Sequence, residues 1–398
     1  MFKRRHLHGW LDRTPRAPIA LVGLALGLAI GCNSEGAPDG AGVDAGSGGN
    51  VDGGGAGNVD GGTGGNVDGG GGNTDATTPP GSDGSSGTDG PSMPMPPFRS
   101  LESAANAPAL FTQTRAGVPL PDGSIAFIAT LEAVSDEERA GAGARVGVFL
   151  QPAQGGSPTV LYAGDKMVNP FDIDASLDGK TLYVADVAGG AEGRGAILTL
   201  ATTAGEPTEV VSGWAPRGVT VASDDRVYFS GIDDTTGESG VFLLAGSAVT
   251  RVFAGAPLVD PSGIAVLKDG GVLVSDTRLF DGASDGTTVR NVSEAGVVLI
   301  KDGQASIFAT GFVTGYPAGI ALTVDEKALI ISGQGPDHSD TVYIVDVANP
   351  TAPPTVVTDK FSAFQDSSAG LKRAHDSNTF IWASLAANGG TIYRIRGN

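Results

Sequence analysis

One phrase recurs along the chain, and this repeat limits the possible folds more than any other feature. In the copy "DPSGIAVLKDGGVLVSDT", an apolar run follows Pro-x-Gly, an Asp-rich turn comes next, and a second apolar run ends at Asp. Copies begin at residues 169, 215, 260, 316 and 367, and a weaker copy occupies 116–130. The spacing of 45 to 56 residues indicates a supersecondary unit that is repeated in space.

Each unit contains four short apolar runs that are typical of strands. The first follows the Pro, an Asp-rich hairpin turn leads to the second, and a variable loop leads to the third, as in "GVFLLA" and "GVVLIK". The fourth is a run such as "VTRVFAG". Because no helical periodicity is sustained after about residue 99, we predict an all-β domain over 99–398. Six units of four antiparallel strands predict a six-bladed β-propeller.

The last unit ends at "TIYRIRGN" without a fourth strand. A run of strand character, "APALFTQ" at 107–113, precedes the first complete unit. We expect this run to pair with the final strand and close the ring, which would remove exposed sheet edges.

Two copies of the repeat support a resemblance to known propellers. "PSGIAVLKDGGVLVSD" and "FDIDASLDGKTLYVAD" resemble NHL-repeat and senescence-marker/gluconolactonase-like propellers, and "DGKTLYVAD" is also similar to the YVTN repeat of surface-layer propellers. The similarity covers roughly residues 107–398. The similarity implies the fold. It says little about function, because one fold hosts many unrelated functions.

The gluconolactonase-like resemblance also implies a divalent cation in the channel, held by a carboxylate and Asn side chains, one of which follows the Pro of the repeat. The matching positions here hold no Asn: they are Phe171, Arg217, Ser262, Ala318 and Ser368. Calcium prefers six to eight oxygen ligands, and the acidic residues near this rim, Asp172, Asp174 and Asp260, do not complete such a set. We therefore predict no metal site and no cofactor; calcium is the alternative.

Binding residues are expected on one rim of the ring, where the loops after second and fourth strands meet on a rigid scaffold. Aromatic, acidic and Arg side chains there suit a polar ligand or a protein loop. The candidate ligand-binding residues are Trp214, Arg217, Asp186, Asp233, Asp276, Arg278, Asp337 and His338. Two alternatives stay open: Trp214 as a plug between blades, and "GQGPDHSD" as a plain polar loop. No catalytic residue is predicted, and His375 is expected in a solvent-facing turn on the opposite rim.

The N-terminus has the pattern of an export signal. Five basic residues precede or flank an apolar run at 17–31, which is shorter than the roughly 20 residues of a membrane-spanning helix. The run ends in "LAIGC", which resembles the lipobox of bacterial lipoproteins. This resemblance implies a signal peptide over 1–31 and acylation of Cys32 after cleavage. An ordinary secretory signal with an incidental Cys is the alternative.

Residues 32–98 are almost wholly Gly, Asp, Asn, Ser, Thr and Pro. "GNVDGG" recurs there with a period of eight. Residues 32–98 have too little apolar surface to offset the conformational entropy that is lost on ordering. We therefore predict that they form a disordered linker. A calcium-binding glycine repeat is the alternative, but it would need a nine-residue period and large apolar residues.

Charge and cysteine content narrow the function classes. The net charge of −19 disfavours nucleic acid as a partner. A single cysteine excludes a disulfide within the chain. We predict a monomeric lipoprotein of the outer membrane or cell surface whose propeller is a binding platform for a protein, glycan or peptide. The alternative is a metal-dependent hydrolase or lactonase.

Overall fold

The fold is all-β. The computed structural model describes residues 98–132, 145–190, 193–279, 295–314, 318–334, 340–356, 368–384 and 390–397. In these ranges 24 strands form six four-stranded antiparallel sheets, without a helix and therefore without a helix that could cross a membrane. The predicted signal peptide, Cys32 and almost all of the linker lie outside the described residues.

The first strand, β1, is Phe98–Ala105. The blades follow it in chain order. Blade 1 contains β2 Phe111–Pro119, β3 Ile125–Leu131, β4 Val146–Gln151 and β5 Thr159–Ala163. Blade 2 contains β6 Pro170–Ala175, β7 Thr181–Asp186, β8 Ala196–Ala201 and β9 Thr208–Ser212. Blade 3 contains β10 Gly218–Val221, β11 Val227–Ile232, β12 Ser239–Ala245 and β13 Ala248–Ala254.

The remaining three blades have the same order of strands. Blade 4 contains β14 Pro261–Val266, β15 Val272–Asp276, β16 Ala295–Lys301 and β17 Gln304–Phe312. Blade 5 contains β18 Ile320–Leu322, β19 Ala328–Gln334, β20 Asp340–Asp346 and β21 Thr355–Val356. Blade 6 contains β22 Ser368–Arg373, β23 Thr379–Ser384 and β24 Thr391–Gly397, with β1 as its fourth strand.

The first strands of the blades form a closed inner ring. Contacts join β2 to β6, β6 to β10, β10 to β14, β14 to β18, β18 to β22, and β22 back to β2. The predicted six-bladed β-propeller is therefore confirmed, and the repeated phrase is the inner hairpin of each blade.

The glycine of the repeated phrase lies where neighbouring inner strands approach most closely. A Cβ added at Gly218 would lie 2.0 Å from the carbonyl oxygen of Ser262, and one at Gly263 would lie 2.2 Å from that of Ala318. At Gly319 the added atom would lie 1.9 Å from the Leu371 amide nitrogen. No side chain fits at such distances, so the ring requires glycine here.

The hydrophobic core lies between the blades. Six clusters of buried apolar side chains are found among the described residues, and each combines two adjacent blades. Between blades 5 and 6, for example, Trp382 is fully buried and packs with Ile330 and Val342. Its indole nitrogen donates a hydrogen bond to Ser332 Oγ at 3.0 Å. Because each blade covers a face of its neighbour, the blades stabilise one another around the ring.

Ring closure uses a different segment from the one that we predicted. The strand that pairs antiparallel with β24 is β1, with Leu101 opposite Ile395. The prediction of 107–113 as the closing strand is wrong, because a turn at 108–110 interrupts this run and Phe111 begins the first strand of blade 1. Phe111 is fully buried and contacts the Phe127 ring at a centroid distance of 5.0 Å.

Two truncations test this closure. A chain that begins at Phe98 keeps β1, whereas one that begins at Asn106 loses β1 but retains 107–113. We expect the shorter chain to melt about 5–10 °C lower, because β24 loses its partner strand and the cluster between blades 5 and 6 loses Leu101. The measurement is thermal unfolding followed by circular dichroism. Equal melting temperatures would show that β1 does not close the ring.

Candidate functional site: the central channel and its rims

A buried lysine crosses the central channel. Lys372 belongs to β22 of blade 6, and its ammonium nitrogen lies 2.8 Å from Asp172 Oδ2 on β6 of blade 2. The same nitrogen donates a hydrogen bond to the Val219 carbonyl oxygen on β10 of blade 3 at 2.5 Å. Both charged side chains are only 6% exposed. The pair thus joins three blades through the interior of the ring.

Two acidic residues of β6 hold the neighbouring inner strand in register. Asp172 Oδ2 accepts the Val219 amide at 3.0 Å, and Asp174 Oδ2 accepts the Val221 amide at 2.9 Å. Asp174 also accepts the Thr220 hydroxyl at 3.1 Å. Burial raises the pKa of Asp172, while the charge of Lys372 and the Val219 hydrogen bond act in the opposite direction. A buried ion pair of this kind depends on both partners being present.

The channel residues do not fit a divalent cation. Where the gluconolactonase-like resemblance implies Asn, Phe171 and Ala318 are apolar and Arg217 is cationic, while Ser262 Oγ accepts the Ala318 amide at 3.2 Å. The buried carboxylate of Asp172 is paired with the ammonium of Lys372, which repels a metal ion. In the described part of the chain, no group of three or more His, Cys, Asp or Glu side chains could hold a metal.

On the predicted rim, Asp186 is an anchor for the backbone. This fully buried side chain ends the second strand of blade 2. Its carboxylate accepts the amides of Val168 and Asn169 at 2.7 and 2.9 Å, and that of Gly189 at 2.7 Å. These bonds tie the loop entering blade 2 to the loop that follows β7. The carboxylate thus has a structural role, and its ligand-binding role stays a prediction.

Asp276 repeats this arrangement in blade 4. It is fully buried, ends β15, and accepts the amides of Val259 at 2.7 Å, Asp260 at 3.0 Å and Arg278 at 3.0 Å. Burial raises the pKa of Asp276, against the effect of these hydrogen bonds and of the charges of Arg217 and Arg278. The same residue type at the same position in two blades therefore performs the same structural task.

Asp233 has an equivalent position after β11 of blade 3. Its Oδ1 accepts the amides of Thr235 and Thr236 at 2.9 and 3.0 Å, and its Oδ2 pairs with the Arg251 guanidinium. Burial by itself would raise the pKa of Asp233, but the two amides and Arg251 together hold the pKa below its usual value.

Trp214 and Arg217 lie on the loop that enters blade 3. The Trp214 ring packs edge-on against Phe242 at a centroid distance of 4.6 Å, and it joins the cluster between blades 2 and 3. Arg217 pairs with Asp260, which also accepts the Thr277 hydroxyl at 3.0 Å. This packing fits the plug alternative for Trp214.

The structure brings only part of the predicted site together. Arg217, Asp276 and Arg278 are neighbours at the boundary of blades 3 and 4, where both arginines act on the Asp276 carboxylate. Arg278 is exposed. Asp337 and His338 lie outside the described residues.

A cavity that the sequence reasoning missed lies on the opposite rim, at the hairpin turns between first and second strands. It has a volume of about 230 Å³, and its walls include Asp174, Lys372, Arg373 and His375. The expectation of a solvent-facing His375 is wrong: the side chain is half-buried, and Nε2 donates a hydrogen bond to the Ala175 carbonyl oxygen at 3.1 Å. A sequence signal existed, because "GLKRAHD" is the copy whose inner strand carries two adjacent cations.

Comparison with known proteins supports the fold. No family model and no curated protein matches the chain. The PQQ-bound aldose sugar dehydrogenase of Streptomyces coelicolor aligns with a TM-score of 0.54 and 11% identity, over 76% of this chain and 100% of that chain. A gluconolactonase of Xanthomonas campestris aligns with a TM-score of 0.49 and 15% identity, over 75% of this chain and 89% of that one. The chain is a six-bladed β-propeller protein with gluconolactonase-like propellers among its structural neighbours. At sequence identities this low, the similarity shows a shared fold and nothing about activity.

Removing the Lys372 charge tests the channel pair. Lys372→Met leaves Asp172 buried without its partner, so we expect the free energy of unfolding in urea to fall by about 3–5 kcal/mol at neutral pH. The loss should shrink on acidification. Without Lys372, the folded-state pKa of Asp172 rises further above the unfolded value of about 3.9, so protonation favours the folded state and stability returns as pH falls through that window.

The control is Lys180→Met, which removes an exposed lysine 3.0 Å from Asp178 on a hairpin turn. We expect its unfolding curve to match that of the unaltered protein, because exposed pairs contribute little. A Lys372→Met variant that is as stable as this control, or whose loss does not change with pH, would contradict the buried pair.

Proposed function

We propose that this protein is a lipid-anchored lipoprotein of the cell envelope and that its propeller is a non-catalytic binding platform. The observation that carries the proposal is the Lys372–Asp172 pair, which places a cation and its counter-ion where a channel enzyme would need open coordination sites. The rim acids Asp186 and Asp276 support it as well, since backbone amides occupy their carboxylates. Such groups suit a rigid support for variable loops.

The proposed binding surface is the rim formed by the loops that enter each blade and those that follow second strands. Arg278 is exposed there, beside the partly exposed Trp214 and Arg217, and aromatic and Arg side chains together are common at recognition sites. The partner is a protein, a glycan or a peptide, bound by a monomer without a cofactor. Nucleic acid is disfavoured because the chain has a net charge of −19.

The proposed anchor is acylated Cys32. Cleavage before this residue would remove the basic, apolar leader and leave the Gly-rich segment up to residue 98 as a tether between the membrane and the propeller. Several acyl chains on one cysteine give stable membrane attachment, whereas a single chain does not. The proposed location is the outer membrane or the cell surface.

Metabolic labelling with an alkyne fatty acid tests the anchor. We expect the unaltered chain to incorporate the label and to sediment with membranes, and Cys32→Ser to lose both properties because the acylated thiol is absent. The matched control is Ser34→Ala, which changes a nearby hydroxyl residue but leaves the thiol in place. Equal labelling of the Cys32→Ser variant would refute the anchor.

The alternative function is a metal-dependent lactonase or hydrolase of the gluconolactonase-like type, with calcium as the cation. Calcium bound only in the folded state would stabilise it by mass action. We expect the purified protein to contain no stoichiometric calcium, and its melting temperature to be unchanged by calcium or by a chelator. A stoichiometric ion together with a fall in melting temperature on chelation would overturn the platform proposal in favour of the alternative.

A further inference from the structure

The rim at the hairpin turns between first and second strands is the hairpin rim. Its cavity has two chemically different walls. Inner-strand residues of blades 4 and 5 form an apolar wall that includes Ile264, Ala265 and Ile320. Charged side chains, among them Arg373 and Lys268, form the rest. A volume of about 230 Å³ lies just below the range of sites for drug-sized molecules, so only a small amphipathic ligand fits.

Arg373 lines this cavity, and part of its guanidinium makes no hydrogen bond to the described residues. Its Nη1 donates hydrogen bonds to the carbonyl oxygens of Ala374, of His375 at 3.2 Å and of Ser377 at 3.1 Å, which fixes the guanidinium on the hairpin turn. Nε and Nη2 donate no bond to the described residues, and neither is sealed from solvent. These two atoms form the edge of a guanidinium that binds a carboxylate in bidentate fashion.

The carboxylates near Arg373 do not neutralise it. Asp174 is bonded to the amides of Ala175 and Val221, and Arg373 forms no ion pair with any carboxylate in the described part of the chain. Burial lowers the pKa of Arg373, and the charges of Asp174, Asp376 and Glu326 only partly oppose this effect. The Arg373 guanidinium is therefore half-buried without a directly bonded carboxylate among the described residues.

Lys268 adds a second cation at the edge of the cavity. Its ammonium nitrogen donates to the Val324 carbonyl oxygen at 2.7 Å and makes no ion pair with a described carboxylate. Glu326 is close, but its Oε1 accepts the Lys268 backbone amide at 2.8 Å. The Lys372 charge deeper in the channel is compensated by Asp172.

We propose that this cavity binds a small organic carboxylate, with the carboxylate group on the Nε–Nη2 edge of Arg373 and the hydrocarbon part against the apolar wall of blades 4 and 5. Lys268 strengthens the attraction from the edge. The site lies on the rim opposite to the proposed platform, so it is independent of that function.

Butyrate and its uncharged counterpart butyramide are suitable probes. In calorimetric titrations of residues 32–398 carrying Cys32→Ser, we expect saturable binding of butyrate and binding of butyramide at least about tenfold weaker, because only butyrate matches the guanidinium edge. Arg373→Gln should weaken butyrate binding by about tenfold or more. Absence of saturable butyrate binding, or equal binding of the two probes, would overturn the proposal.

Two further variants make the test decisive. Lys268→Glu changes an exposed residue, so it remains informative if Arg373→Gln fails to fold, and it should also weaken butyrate binding by about tenfold. Arg226→Gln is the matched control: Arg226 belongs to a hairpin turn on the same rim but is paired with Asp224 at 2.6 Å. It should leave butyrate affinity unchanged. Equal effects of Arg226→Gln and Lys268→Glu would indicate general electrostatic attraction and reject the site.

Discussion

Each blade of this protein has two apolar faces, and it can cover them only with its neighbours. The six clusters of the core all lie between adjacent blades, with Trp382 between blades 5 and 6 and Phe242 between blades 2 and 3 as examples. An open row of blades would leave one apolar face of each end blade exposed, so the ring must close. The pairing of β1 with β24 provides this closure, because it completes blade 6 with residues from the opposite end of the domain.

The inner strands pack closely at the centre of the ring. The glycines of the repeat let neighbouring inner strands approach closely, and the charged side chains inside the ring are almost fully buried. Lys372 and Asp172 are therefore stable there only as partners. Lys372 reaches from blade 6 to blades 2 and 3, so the pair ties distant parts of the inner ring together.

The sequence predicted the blades because each copy of the repeat carries the same local signals for strands and hairpin turns. It failed at closure because 107–113 contains a turn, while β1, "FRSLESAA", has a weak strand pattern that becomes a strand only by pairing with β24. Pairing between the two ends of the domain is set by the ring, and no local pattern contains it. The Lys372–Asp172 pair was missed for the same reason.

The candidate rim acids illustrate another limit of sequence reasoning. The sequence predicts ligand binding by Asp186 and Asp276 because acids after second strands can face a ligand. Their carboxylates, however, hold the amides of Val168 and Val259 at 2.7 Å in both blades. Composition and spacing cannot distinguish an acid that binds a ligand from one that binds its own backbone, because both require the same residue at the same place.

The Lys372–Asp172 ion pair occupies the interior of the ring, where the gluconolactonase-like resemblance implies a cation. A crystal structure of the protein grown in calcium-rich solution tests this claim most directly. We predict that the Lys372 ammonium remains within hydrogen-bonding distance of Asp172 and that no calcium lies in the channel. A calcium ion coordinated by Asp172, with Lys372 turned away from it, would contradict the claim.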